Sequence, residues 1–299
     1  MKRYRSRRGR AKEYSFGALA LALLLFFLYE VYPALTQPGG SAAPPPAGTL
    51  EVHFIDVGQG DSILIRTETA DMLIDAGPNA AAETVVDYLA AQGVETLDCV
   101  VGTHPHEDHI GGLDAVIRAF DVEQVLMPRV QADTRTFEDV LDAVAEKGLK
   151  ITAAEAGQTY ALGPARFTVL SPAEEKTYEN TNDNSVVLRL EGGGSTFLFT
   201  GDAEKPVEEA LLAQGVPLAA DVLKVGHHGS STSSSEAFLA AVHPEYAVIQ
   251  LGAGNDYGHP HQETLAALGS VGAKVWRNDE SGTIILRAAD GAITIESER

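Results

Sequence analysis

From Leu50 onward, apolar and polar positions alternate in short runs separated by stretches of helical spacing. "LEVHFIDV" has period two, "DSILIRT" follows a Gly-Gln-Gly turn, and "DMLIDAG" ends a third run on glycine, which predicts three strands in a meander. "AAAETVVDYLAAQGV" changes to a helical period with a glycine stop and leads into the apolar strand "LDCVVGT". After a histidine-rich loop, "IGGLDAVIRAF" predicts a helix, "VEQVLMP" a strand and "TFEDVLDAVAEKGL" a helix, with strands near 150–153 and 165–170. Beyond the loop "SPAEEKTYENTNDN" the order repeats in outline. Strands "SVVLRLEG" and "STFLFTGD" precede helix "EKPVEEALLAQGV", strand "ADVLKVGHHG", helix "SSEAFLAAV", strand "EYAVIQLG" and helix "HQETLAALGSV", with closing strands around 273–276, 282–287 and 291–296. Two β-rich halves that each carry helices predict two sheets packed face to face with helices outside.

The chain before Leu50 is patterned differently. "MKRYRSRRGRAK" carries seven of the 22 basic residues and no acid, "FGALALALLLFFLY" (16–29) is an apolar run that continues to Leu35, and "TQPGGSAAPPPAG" is a flexible to polyproline-type tether. The expected organisation is a basic cytoplasmic arm at 1–14, a signal anchor or transmembrane segment at 15–35, a Pro/Gly-rich linker at 36–48 and a folded domain at 49–299. The apolar core is short for a span of about 20 residues and overlaps the length of a signal-peptide core. No small-x-small cleavage site follows it, because Tyr29, Glu30, Tyr32 and Pro33 crowd that place. An uncleaved single-pass anchor is therefore expected, with the basic arm inside and the C-terminal domain outside the cell membrane. The alternative is secretion after cleavage.

Composition narrows the function classes. A chain of 299 residues that is 44% hydrophobic has a real core. Its one cysteine, Cys99, sits in the apolar "LDCVVG" and is read as a small buried side chain, so neither an internal disulfide nor a cysteine-based zinc site is available. The formal charge is −20, and the chain beyond residue 36 carries 15 basic against 40 acidic residues, a formal −25. Such a domain repels polyanions and disfavours nonspecific nucleic-acid binding through a basic surface, unless bound cations supply the positive charge.

The residues able to carry chemistry fall where predicted strands end. "THPHEDHIGG" (103–112) puts His104, His106, Asp108 and His109 directly after an apolar strand. In an extended segment His104, His106 and Asp108 share one face, and a turn at Asp108-His109 aims that pair at a second ion, so one stretch can serve two adjacent metals. In "LFTGD", Asp202 offers two carboxylate oxygens able to bridge two ions, and "LKVGHHGSS" brings His227 and His228 to another strand end. His53, mid-strand, is read as a packed core residue.

These motifs, with "LIDAG" upstream, resemble the metallo-β-lactamase superfamily. More narrowly, "HFIDVGQGDSILI", "NDNSVVLRL", "LKVGHHGSS" and "YGHPH" look like the metallo-hydrolase domain of the ComEC competence proteins, in that family's order from about residue 50 to the end. The chain shows one apolar segment and not the family's multi-spanning channel part. The resemblance implies an α/β (α+β) fold, an αββα sandwich preceded here by one N-terminal helix. It makes His104 and His106 ligands of one divalent ion, Asp108 and His109 ligands of the other, Asp202 the bridge and His227 the ligand from the last strand end, with His228 a supporting residue or further ligand. Asp75 corresponds to the family's buried acid that orients the loop by hydrogen bonds. One departure matters: most of the superfamily has a further histidine between the first cluster and the Asp of "GD", whereas this chain has "NTNDNSVV" there, so Asn182, Asp183 or Asn184 faces the site or one ion has fewer ligands. The metals expected are two divalent ions, zinc or manganese.

Several neighbouring residues carry further expectations. Pro260 suits the first turn of the following helix, which sets His259 beside helix N-terminal donors as a phosphate contact or proton donor. Asp108 and His259 are thus the candidate catalytic residues, and Gly229, Ser230, His259 and His261 the candidate substrate contacts. Ser233 with Glu236 fits a capping box, and Asp61 or Gln59 of the "DVGQGD" turn supports the site from beneath. The implied function is an extracytoplasmic hydrolase of phosphodiesters, possible DNA substrates included, as a ComEC-like nuclease of competence and DNA uptake, in which two ions activate water. Alternatives are an esterase of another class, phosphorylcholine esterase-like or lactamase-like, and a non-catalytic polymer-binding module.

Overall fold

In strand β1 (Thr49–Phe54), Val52 and Phe54 point to one face and His53 to the other, the period-two pattern seen in the sequence. The same alternation runs through β2 (Ser62–Arg66) and β3 (Asp71–Ala76), where Ile63, Ile65, Met72 and Ile74 face the second sheet while Leu64 and Leu73 face helices. Both faces are buried, so these strands read as nearly continuous apolar runs. The computed structural model describes residues 42–173 and 176–299. The basic arm, the apolar segment and the first part of the linker lie outside the described residues. Among the described residues no helix is long and apolar enough to cross a membrane.

The chain continues through α1 (Ala82–Ala91), β4 (Thr96–Leu97), β5 (Cys99–Val101), α2 (Glu107–Ile110), α3 (Leu113–Ala119), β6 (Asp121–Val122), β7 (Val125–Met127), α4 (Arg135–Glu146) and β8 (Ile151–Ala153). A second series follows: β9 (Thr159–Leu162), β10 (Ala165–Ser171), β11 (Val187–Gly192), β12 (Ser195–Phe199), α5 (Lys205–Gln214), β13 (Val222–Lys224), α6 (Glu236–Val242), β14 (Tyr246–Ile249), α7 (Gln262–Ser270), β15 (Lys274–Arg277), α8 (Asn278–Ser281), β16 (Ile284–Ala289) and β17 (Ala292–Ser297). One sheet has the order β17-β16-β1-β2-β3-β5-β7-β8 and the other β15-β14-β13-β12-β11-β10-β9. Each is antiparallel in its hairpins and parallel where helices cross over, from β3 to β8 and from β12 to β15.

Three apolar clusters make four layers. Phe54, Ile65 and Met72 meet Phe167, Leu190 and Phe199 between the sheets. Leu73, Val100 and Val125 are covered by Val85, Val116 and Val140 of the first helix layer, and Leu198, Leu223 and Ala247 by Leu211, Leu239 and Leu268 of the second. The arrangement is the expected αββα sandwich, with one difference. The two closing strands do not stay with the second half: β16 pairs antiparallel with β1, from Thr49 opposite Ala289 to Phe54 opposite Ile284. Without that return β1 would present an unpaired edge.

Two local expectations shift. The cap of α6 is Ser235, whose side chain accepts from Phe238 N, while Ser233 Oγ donates to Gly226 O at 2.8 Å and holds the turn after β13. Only Ser233 has a glutamate three residues on, whereas the residue three on from Ser235 is Phe238, so the sequence signal pointed to the wrong serine. Helix α7 starts at Gln262 after the cap His261, so Pro260 precedes the helix instead of forming its first turn.

Candidate functional site

The carboxyl ends of β3, β5, β12, β13 and β14 converge at one edge of the sandwich, where open parallel sheets place their ligand sites. The loop after β5 is anchored first. Thr103 N and Thr103 Oγ1 donate to the two oxygens of Asp75 at 2.7 and 2.6 Å, while Val186 N from the other sheet donates to Thr103 O at 2.9 Å. The loop then delivers His104 and His106, and the short helix α2 delivers Asp108 and His109. The "GQGD" turn packs against it. Asp61 N donates to Asp108 O at 3.1 Å, and Gly60 has φ 141° with its missing Cβ 2.2 Å from that same oxygen, so only glycine fits.

On the second sheet, Asp202 follows β12, with its N–H on Ser185 Oγ at 3.1 Å. After β13 the consecutive residues His227 and His228 both take left-handed backbone, φ 48° and 51°, and splay their rings 66° apart.

Four imidazoles are held by their Nδ1 sides. His109 Nδ1 donates to Asp75 Oδ2 at 2.8 Å and His228 Nδ1 to Gln250 O at 2.9 Å. His104 Nδ1 lies 3.1 Å from Thr103 Oγ1, and His227 Nδ1 lies 3.1 Å from Glu204 Oε1 and 3.2 Å from Thr232 Oγ1. Such partners fix the tautomer and leave the Nε2 lone pair free for a cation.

Every one of those Nε2 atoms faces Asp202. His104 and His227 each stand 3.8 Å from Asp202 Oδ2, His228 stands 3.7 Å from it, and His109 is 3.3 Å from Oδ1. His228 Nε2 is also 3.3 Å from Asp108 Oδ2, and His106 Nδ1 is 3.0 Å from His104 Nε2. The sets His104, His109, Asp202 and Asp108, His109, His228 each bring their donor atoms within 4.8 Å of one another. Asp202 Oδ1, His109 Nε2, His228 Nε2 and Asn182 Oδ1 are buried with no hydrogen-bond partner in the protein. Buried polar atoms are normally paired, and imidazole with carboxylate is a donor set suited to a transition-metal dication. The residues fit the divalent ions that the resemblance implies.

The electrostatics agree. Burial works against the charge of Asp202, but His109, His228 and His104 around it hold its carboxyl well below the usual range. Burial likewise opposes a proton on His228, yet Asp202, Asp108 and Asp61 raise it to about 10, and Asp202 with Asp75 raises His109. Cation binding displaces those protons. Burial and the repulsion of His228 and His227 lower His259 to about 4, which makes its imidazole neutral at pH 7.

Not every expected residue comes to the front of the site. Asn182 does: Nδ2 donates to Glu204 Oε1 at 3.1 Å and lies 3.5 Å from His227 Nε2. Asn184 does not, because Oδ1 accepts from Tyr178 N and Nδ2 donates to the carbonyls of Tyr178 and Asn180, all within its own loop. Gly229 and Ser230 are buried: Gly229 packs on Pro260 and accepts from His261 N, while Ser230 N donates to His227 O and its hydroxyl pairs with Thr232. His261 Nδ1 accepts from Ser231 N. These three stand behind the wall of the cavity, and of the expected substrate contacts only His259 lines it. His228 Nε2 stands beside Asp108 Oδ2, whereas His227 Nε2 stands on the Asn182 side.

Sequence reasoning missed Lys224, Glu204 and Gln250. Lys224 Nζ donates to Asp61 Oδ2 at 2.7 Å and to Val225 O at 2.9 Å, beneath the histidines. The available signal was a lysine inside the apolar run "VLKVG". In front of Asp202 opens a cavity of about 700 Å³, lined among others by Gln59, His106, Asp108, Asn182, His227 and Tyr257.

The sequence pattern described as "Metallo-beta-lactamase superfamily" matches residues 55–253. ComE operon protein 3 of Bacillus subtilis is 34% identical, aligning 88% of this chain with 35% of that protein. Competence protein ComA of Neisseria gonorrhoeae is 36% identical, aligning 85% of this chain with 34% of that protein. The chain thus spans about a third of the length of these curated relatives. Among solved structures, the metallo-β-lactamase fold protein YhfI from Bacillus subtilis has a TM-score of 0.54 at 16% identity, covering 83% of this chain and 100% of that one, a likeness of fold alone. With its strand-end histidines and aspartates, the matched pattern and homologues among the ComEC-like competence proteins, the chain belongs to the metallo-β-lactamase superfamily.

Proposed function

We propose that the protein is an extracytoplasmic, metal-dependent phosphodiesterase acting on nucleic acid. The observation that carries this reading is the set of four histidines tied by Nδ1 to the protein, with every Nε2 facing the one buried carboxylate of Asp202. Among the described residues no lysine or arginine lines the cavity, so a phosphodiester's charge must be met by cations held at the site. The relatives named for competence favour DNA among phosphodiesters. The basic arm and apolar run before Leu35 support a single-pass anchor with the domain outside the membrane.

In this reading His104, His106 and His227 would hold one ion, Asp108, His109 and His228 would hold the other, and Asp202 would serve both. His227 and Asn182 stand in for the histidine missing from "NTNDNSVV". When bound, two divalent ions neutralise developing phosphoryl charge and lower the pKa of water toward neutrality. Asp75 and the Gln250 carbonyl hold the His109 and His228 rings so that nothing reorganises when substrate arrives. His259, which lines the open side of the cavity, would hydrogen-bond the phosphoryl group through its ring N–H.

The test uses the full chain in detergent, stripped with chelator and reloaded with Mn²⁺, Zn²⁺ or Mg²⁺. Bis-p-nitrophenyl phosphate and single- and double-stranded DNA are the substrates. Turnover that Asp202→Ala abolishes without unfolding supports the reading. Ions bound with no turnover under any metal move the site to another ester class or to polymer binding.

A further inference from the structure

Tyr257, on the wall of the cavity that carries His259, takes no part in the hydrolysis. The loop after β14 is pinned by Asn255, whose Oδ1 accepts from Tyr257 N at 3.2 Å and His259 N at 3.0 Å. Asn255 Nδ2 donates to Gly252 O at 3.1 Å and His259 O at 2.8 Å. Gln59 Oε1 accepts from Gly252 N at 3.1 Å and ties this loop to the "GQGD" turn. The fixed loop holds Tyr257 over His259 with centroids 5.5 Å apart and planes at 22°. Tyr257 is 65% exposed, and among the described residues it is the one large aromatic so exposed. From His259 the next rings inward are His227 at 5.6 Å and His228 at 6.4 Å.

We propose that Tyr257, backed by His259, is a stacking ledge for a nucleobase adjoining the phosphate presented to Asp202. The proposal rests on the phosphodiesterase reading and makes its substrate a single strand or a strand end, because bases inside a duplex have no free face to offer. A flat ring held on a rigid loop gains from any planar base without regard to sequence. Gln59, Glu107, Asp108, Asn255 and Asp256 around it bring no cationic side chain, so the ledge supplies grip that a basic groove supplies elsewhere. A quaternary ammonium group is the competing occupant, but its recognition uses several aromatic walls and this mouth has one exposed aromatic ring.

The experiment compares wild type, Tyr257→Leu and Tyr257→Trp in the Mn²⁺-loaded full chain. The substrates are thymidine 5′-p-nitrophenyl phosphate and methyl p-nitrophenyl phosphate. Base stacking of about 1–3 kcal/mol converts to a fall of roughly 5- to 150-fold in the ratio of the two kcat/KM values for the leucine variant, restored by tryptophan. An unchanged ratio overturns the ledge. If neither diester turns over, the hydrolytic reading has failed, and equilibrium dialysis of thymidine 5′-monophosphate against deoxyribose 5-phosphate still decides the ledge. The same loss on Tyr257→Leu sustains it, and equal binding of the two, or a loss seen instead with phosphorylcholine, overturns it.

Discussion

Lys224 Nζ lies 2.7 Å from Asp61 Oδ2, and neither side chain is more than 2% exposed. Burial opposes the charge of Asp61, and Lys224 together with His228 overcomes it. Asp61 Oδ1 is in turn 3.3 Å from His228 Nδ1, so the pair sits under a histidine of the site. Removing one member leaves a buried charge without its counterion, which costs about 3–5 kcal/mol, whereas replacing both by neutral groups of similar volume is far less damaging. Lys224→Met is expected to lower the unfolding free energy of the chelated protein, measured by urea titration, by that amount, with Asp61→Asn/Lys224→Met recovering most of it. Equal stability of Lys224→Met and wild type would show that the pair is dispensable.

Asp75 makes a different kind of contact, accepting from Thr103 N, Thr103 Oγ1 and His109 Nδ1 with no exposure to solvent. Asn at this position keeps the volume but gives the His109 ring a weaker and ambiguous partner. Losing such a partner behind a metal-binding histidine lowers metal affinity about 10- to 100-fold. Asp75→Asn is expected to show this in a chelator competition titration while its far-ultraviolet spectrum stays native. Unchanged affinity would reduce Asp75 to a loop anchor.

His227 and His228 divide the site between them. Both approach Asp202 Oδ2, but His228 Nε2 also faces Asp108 at 3.3 Å, and His227 Nε2 faces Asn182 at 3.5 Å. Each alanine variant is expected to bind one Mn²⁺ where wild type binds two, counted by elemental analysis, with the spin-coupled signal of a metal pair lost from both. If His227→Ala retains two ions, Asn182 fills the place of the missing histidine without it.

The clusters at 104–109, 202 and 227–228 were legible because short spacings bind them to local strand ends, and β1 to β3 were legible as short apolar runs bounded by turn residues. Which histidine of "GHHG" serves which side was not, since it depends on two successive left-handed residues that the sequence does not signal without glycine. Asn182 and Asn184 are two positions apart with the same chemistry, and only the tertiary position of Glu204 and Tyr178 separates a site residue from a turn residue. The return of β16 to β1 spans most of the domain and leaves no local mark.

Glu51 joins these same strands at the far end from the site, accepting from Arg287 Nε on β16 at 2.6 Å and pairing with the buried His53 at 3.2 Å. The His53 hydrogen bond and the Arg287 guanidinium outweigh its half-burial and hold its carboxyl at about 2. A carboxylate whose pKa is depressed on folding stabilises the protein above its ordinary pKa, and that stabilisation is lost as pH falls through the folded value. Glu51→Gln is therefore expected to be less stable than wild type by about 1 kcal/mol at pH 7, after allowance for solvent screening of a group only half buried. The gap should stay constant down to about pH 4.5 and close by about pH 2. Urea unfolding of both chelated proteins across that range measures it, and a gap that persists unchanged at pH 2 would mean that the Glu51 charge does not hold β1 to β16.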